Sequence, residues 1–309
     1  MKKRTTRFFL MLLCAVILTA AIPVRANADM GPKPSVRITF ENLGDELCYA
    51  TLLSSRSSTG PASAWNGQGE ARHNENPNYA YKSFGYDVWK AFVGYAENDD
   101  FYFLQEAWQV NETKELAWTY LPPSEFKILL YFPETGEFSV SEVYERYAFD
   151  SYFTVNMEGA KRSADLKAEL TADEYLQVCK AYDYTAELIS LVFRIVITIL
   201  VETAIAVIFG FRKKKQLVVL FAVNAATQIV LNILLNIINY NSGAIAFVLS
   251  YILFEVIVFV IEAVLYCIVL KKISEQRKAG WFYVLYALVA NAISFGAGLF
   301  VAKILPGIF

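Results

Sequence analysis

Residues 217–240 read LVVLFAVNAATQIVLNILLNIINY and residues 244–270 read AIAFVLSYILFEVIVFVIEAVLYCIVL, two apolar runs parted by an uncharged break at 241–243. A helix rises about 1.5 Å per residue, so either run can cross roughly 30 Å of hydrocarbon. Similar runs at 188–211 and 281–304 flank them, and the spacing predicts four spans. The loops at 212–215 and 271–278 are strongly basic, which by the positive-inside rule assigns both to the cytoplasm. The first span then begins outside the cell. Only Lys303, near the outer end of the last span, runs mildly against this.

The start of the chain leads to the same topology by a separate route. Lys2, Lys3, Arg4 and Arg7 precede an apolar stretch at 8–22, and Ala26-Asn27-Ala28 has the small-x-small form of a signal-peptidase site. A signal peptide at 1–28, cleaved before Asp29, delivers the next segment to the outside. Cys14 sits inside the apolar stretch, not at the start of the mature chain, so it does not mark a lipoprotein. The expected location is the cell membrane, multi-pass, with the N-terminal domain and the C-terminus extracytoplasmic.

Composition divides the chain in two. Mean hydropathy is +0.35 and net charge −2 over 309 residues, yet 29–187 holds 26 acidic and 13 basic residues. Such an excess makes nucleic acid and anionic lipid poor partners for the exported part. Within 29–185, alternating or dense apolar runs predict strands at 35–40, 47–53, 126–132, 138–140, 147–157 and 164–170. A turn at Pro133-Glu-Thr-Gly136 joins two of them as a hairpin. One helix is predicted over 86–95, and the Ser-, Gly-, Asn- and Pro-rich 54–79 reads as a long loop. The fold class is therefore mixed: a mainly-β, sandwich-like extracytoplasmic domain at 29–185 with one inserted helix, then an α-helical four-transmembrane bundle at 186–309. Cys48 and Cys179 both lie in the exported segment, where a disulfide or two separate thiols are the alternatives.

Polar side chains inside hydrocarbon are costly and so informative. The first span holds Arg194 and Glu202, and the third holds Glu255 and Glu262, seven residues apart and thus within about 20° around the helix. Asn224, Gln228, Asn232, Asn236 and Asn239 confine themselves to one sector of the second span, and Asn291 with Ser294 marks the fourth. Depth counting assigns Arg194 and Glu255 to an outer layer, where they are expected to pair, and Glu202 and Glu262 to an inner one. One arginine cannot serve three carboxylates. Either the cluster is a hydrogen-bond network that fixes packing, or it is a proton- or ion-coupled site. Ala290, Ser294 and Gly298 form a small-xxx-small row suited to close helix contact.

Catalytic signatures are missing. The mature chain has one histidine, His73, and neither a nucleophile elbow nor a phosphate-binding loop, so no cofactor and no metal are implied. The acidic run at Glu97, Asn98, Asp99 and Asp100 lacks the spacing of a calcium loop and reads as a solvated turn. Aromatic residues crowd 79–132, and a subset of them offers a stacking surface for glycan or peptide.

Ala28-Asp29-Met30-Gly31-Pro32-Lys33-Pro34-Ser35 and Tyr49-Ala-Thr-Leu-Leu53, with Asn224-x-x-Thr-Gln228-x-x-x-Asn232 and the Glu255/Glu262 pair, resemble a group of uncharacterised bacterial multi-pass membrane proteins. The resemblance covers about a quarter of the chain, implies the same architecture and supplies no activity. The expected function is a non-enzymatic cell-envelope protein, its acidic exported domain binding a ligand or partner (an envelope protein, peptide or glycan) above an anchoring bundle in the lipid bilayer. The alternative is a proton- or cation-coupled transporter or channel component that uses the intramembrane carboxylates. A second copy of the chain is a further partner that the inward polar groups allow.

Overall fold

The structure is a computed structural model that describes residues 31–64, 84–275 and 277–304; the expected signal peptide with Cys14, and His73, lie outside the described residues. Strand β1 (Ser35–Glu41) shows why the N-terminal part is sheet: Val36, Ile38 and Phe40 point into a core while Arg37 and Thr39 between them do not. It pairs in parallel with β11 (Asp150–Asn156) and antiparallel with β7 (Glu115–Trp118), and β12 (Gln177–Lys180) adds to the edge of β11. A parallel pair cannot close through a hairpin, so the chain between β1 and β11 is free to build a second layer.

That layer is a six-stranded sheet. It contains β2 (Tyr49–Ser54), β5 (Tyr102–Phe103), β6 (Trp108–Gln109), β8 (Glu125–Phe132), β9 (Glu137–Val140) and β10 (Tyr144–Glu145). Strands β3 (Ser58–Thr59) and β4 (Ala62–Ser63) form a small separate hairpin within the expected loop. One face of β8 sends Phe126, Ile128, Leu130 and Phe132 into a core shared with Val36, Ile38, Leu116, Phe153 and Val155 of the first sheet. The other face sends Leu129 into a second core beneath helix α1 (Tyr86–Ala96), whose Val88, Trp89 and Phe92 cover it. Burial on both faces explains why β8 reads as a nearly continuous apolar run. Each fully buried Leu, Ile or Phe contributes roughly 1.5–3 kcal/mol, so these two cores dominate the stability of the β-sheet part. The turn into β9 requires Gly136 at φ 71°, a conformation that favours glycine.

One sequence expectation needs correction here. Residues 164–170 form turns, because Asp165 Oδ1 accepts the Lys167 N–H at 3.0 Å and Ser163 Oγ accepts the Asp165 N–H at 3.0 Å, bonds that compete with a ladder. The last strand is β12. Cys48 and Cys179 are free thiols: Cys48 is in the shared core and Cys179 is exposed on the edge strand. Burial pushes the Cys48 thiol up to about 12, which leaves it protonated and unreactive. In the acidic run, Asp99 meets Lys127 at 2.9 Å, and Lys127 also lies 4.7 Å over the Phe101 ring.

Glu106 makes the β-sheet domain sensitive to pH. Burial raises its carboxyl from 4.5 to about 7, so the folded state holds the proton more tightly than the unfolded chain does. The associated stability is fully present below about pH 4.5 and is lost as pH rises through about 7. After discounting for partial solvent access, the loss should be about 1–2 kcal/mol. Urea midpoints followed by tryptophan fluorescence should fall over that window in the wild type and stay flatter in Glu106→Gln; parallel curves would refute the assignment.

Among the described residues, three helical elements are long and apolar enough to cross a membrane: Glu187–Ile208, Lys214–Ile273 and Gly280–Gly298. They lie in α2 (Thr185–Ile208), in α3 (Lys214–Leu265) with its π-helical extension Tyr266–Leu270 and the short α4 (Lys271–Ile273), and in α5 (Gly280–Ile304). Runs 217–240 and 244–270, expected as separate helices, thus share one element. It is not straight. Gly243 within it has φ 77° and ψ −178°, which no helix allows. Thr227 and Glu262 are 2.7 Å apart, whereas a straight helix would separate them by about 52 Å. The limbs on either side of Gly243 therefore lie side by side. Asn241 Nδ2 donates to the Ile237 carbonyl at 2.7 Å and satisfies one of the acceptors freed at the break.

The helices share a core of small residues and tyrosines, including Ala206, Ala263, Tyr266, Tyr283, Tyr286 and Ala290. Their outward faces carry large exposed apolar side chains such as Leu200, Ile208, Leu249 and Ile268, the pattern expected of a lipid-facing surface. The two basic loops meet at one end of the bundle, where Gln216 Nε2 donates to Ser274 Oγ at 3.0 Å and Lys213 pairs with Glu275. At the other end the β-sheet domain is seated on the break. The Phe149 N–H donates to the Tyr240 carbonyl at 2.8 Å, and the Phe149 ring fills the space where a Cβ on Gly243 would sit.

Candidate functional site

The polar residues predicted within the helices converge from three directions. Nearer the Gly243 break α2 supplies Arg194, whose Nη1 donates to Asn232 Oδ1 at 3.4 Å. Its guanidinium lies 5.0 Å from the Phe247 ring and 5.4 Å from Tyr251, one helical turn before Glu255. Asn232 Nδ2 donates to the Gln228 carbonyl at 2.8 Å, the i−4 geometry that a polar stripe of period four produces. A cavity of about 10 Å³ beside Arg194, Gln228 and Asn232 has room for no more than one water. Glu255 is half-buried, and its Oε2 has no hydrogen-bond partner among the described residues.

Further from the break Glu202 and Glu262 are both fully buried. Glu262 Oε1 accepts from Thr227 Oγ1 at 2.7 Å and Oε2 accepts from Asn291 Nδ2 at 2.7 Å. Glu202 Oε1 accepts from Ser294 Oγ at 3.2 Å, and its backbone carbonyl accepts from Tyr286 at 3.3 Å. Tyr266 donates its hydroxyl to Asn224 Oδ1. Asn291 and Ser294, one turn apart on α5, tie the two carboxylates into one network. The small-residue row matters physically: Gly298 allows the Tyr251 hydroxyl to lie 3.1 Å from where a Cβ would be.

Donors run short in this network. Thr227 has one hydroxyl proton for three acceptors in reach, the carbonyls of Val223 and Asn224 and the Glu262 carboxyl. Ser294 likewise divides one proton between Glu202 and the Asn291 carbonyl. Glu202 Oε2 and Asn291 Oδ1 have no partner among the described residues. An oxygen-rich, donor-poor site of this kind is chemically suited to holding a proton or a small cation.

Asn236 stands apart from the cluster. It lines a separate cavity at the end of the helices nearest Gly243, with Tyr182, Tyr184, Glu187 and Tyr240. Sequence reasoning missed Thr227 and Tyr286 as network members, because hydroxyls in apolar runs look ordinary until a partner helix is placed. It also missed this second cavity, since Tyr182 and Tyr184 precede α2 and Tyr240 lies just before the break in α3. No family model matches the chain, and no curated protein or solved structure matches it either.

Proposed function

We propose that this chain is a non-enzymatic multi-pass membrane protein of the cell envelope, in which an exported, acidic β domain binds a ligand or partner above a polar-cored helical anchor. The observation that carries the reading is the seat at Gly243: Phe149 occupies it by backbone hydrogen bond and ring, so the domain is held by the helices and does not swing on a linker. In this reading the chain crosses four times, the long element counting as two crossings. The contact between Thr227 and Glu262 supports that count, and the meeting of both basic loops at one end supports a cytoplasmic position for them. A two-layer sandwich is the reading of the exported sheets that their shared core supports.

Labelling with a membrane-impermeant maleimide tests the arrangement. After mild reduction, exposed Cys179 should react from outside in intact cells, and a cysteine introduced at Lys278 should react only after permeabilisation. The reverse pattern would sink the reading.

A second reading is favoured by the donor shortage around Glu202 and Glu262, which supports a proton- or cation-coupled site within the anchor. Reconstituted protein should then show a pH-dependent flux that Glu262→Gln reduces at least tenfold, on the order of 1.4 kcal/mol in a barrier. Equal leak in wild type and variant leaves the anchor reading alone.

A further inference from the structure

At the outer end of the helices Tyr182, Tyr184 and Tyr240 gather around a cavity of about 270 Å³. Their ring centroids are 4.7, 5.2 and 6.4 Å apart, so several aromatic faces crowd one small volume. Glu187 lines the same cavity. Its Oε1 accepts the Tyr182 hydroxyl at 2.7 Å, while its Oε2 is buried with no partner among the described residues. Burial, and then the Glu187 carboxylate, raise the Tyr182 phenol well above its ordinary value, so the ring remains a neutral hydrogen-bond donor.

Electron-rich ring faces beside a carboxylate oxygen that lacks a donor are complementary to an organic cation. The remaining walls show where that cation comes from. Leu188 and Ile237 line the cavity and are exposed, and both continue into the apolar helix surfaces of Val192 and Ile233. A ligand seated there has its charged end among the tyrosines and its apolar end along the helices.

We propose that this cavity binds the cationic nitrogen of a membrane lipid headgroup, with Glu187 as counter-charge and the three tyrosines as walls. The site depends on the helices lying in a bilayer, which the maleimide labelling tests separately.

Native mass spectrometry of the full-length protein, equilibrated with equal amounts of phosphatidylethanolamine and phosphatidylglycerol of matched acyl chains, provides the test. The amine lipid should be retained about tenfold over the anionic one, and Glu187→Gln and Tyr184→Leu should each bring the ratio close to one. Tyr184 is exposed, so its replacement leaves the fold intact, and matching thermal unfolding of the variants controls for that. Equal retention in the wild type, or a preference unchanged in both variants, overturns the site. Complete displacement of the lipid by millimolar free phosphoethanolamine would assign the occupant to solution and overturn the lipid assignment. If labelling shows the expected topology while the wild type shows no lipid preference, only the headgroup site fails.

Discussion

Gly243→Ala should destabilise the full-length protein by about 2–6 kcal/mol. Two penalties combine. At φ 77° and ψ −178° the backbone is in a region that side chains other than glycine's rarely adopt, which costs about 1–3 kcal/mol. The new Cβ would also lie 2.6–2.8 Å from three atoms of the Phe149 ring, well inside contact distance. Overpacking of this kind costs typically 1–3 kcal/mol, more where the neighbour is pinned, and Phe149 is pinned at its N–H by Tyr240 and at its carbonyl by Ser35. Thermal unfolding in detergent gives the total. A double-mutant cycle with Phe149→Leu separates the two penalties: the smaller side chain should relieve the clash and leave the backbone strain. A Gly243→Ala protein within 0.5 kcal/mol of wild type, on the order of RT, would mean that the domain does not seat on the break.

Glu262→Ala should cost about 2–4 kcal/mol, and Glu262→Gln less than half as much. The alanine leaves the Asn291 amide and the Thr227 hydroxyl without their carboxylate acceptor in a fully buried site, together with the space of the lost side chain. Glutamine keeps one acceptor oxygen and fills the volume. Hydrogen bonds between membrane helices average well under 1 kcal/mol each, so most of the alanine penalty comes from the cavity and the orphaned Asn291 N–H, since the Thr227 hydroxyl keeps the Val223 and Asn224 carbonyls. Glu255→Ala is the comparison, since Glu255 is half-buried, and it should cost less. Unfolding fractions across a dodecyl sulfate titration report all three. An alanine variant as stable as the glutamine variant would show that Glu262 does not organise the helix contacts.

How much of this was readable beforehand depends on the range of the interaction that decides each feature. The strands at 35–40 and 126–132 and the helix at 86–95 were legible because alternation and helical periodicity act within one element. The stripe Asn224, Gln228, Asn232 was legible for the same reason, and all three are buried as one face. The strand expected at 164–170 was lost to local side-chain bonds from Ser163 and Asp165, and β12 was invisible because four residues on an edge leave almost no pattern.

The sequence alone determined which segments are apolar enough for a bilayer, where glycine interrupts them, and that carboxylates and amides share the inner faces, since each follows from composition and period along one strand of chain. Tertiary structure alone decided that the limbs about Gly243 fold against each other, that Phe149 enters the break, and that Thr227, Asn291 and Ser294 reach the carboxylates. Those contacts join residues tens of positions apart, and their geometry is set by how close the helices can pack, a property of several surfaces together that no single segment encodes.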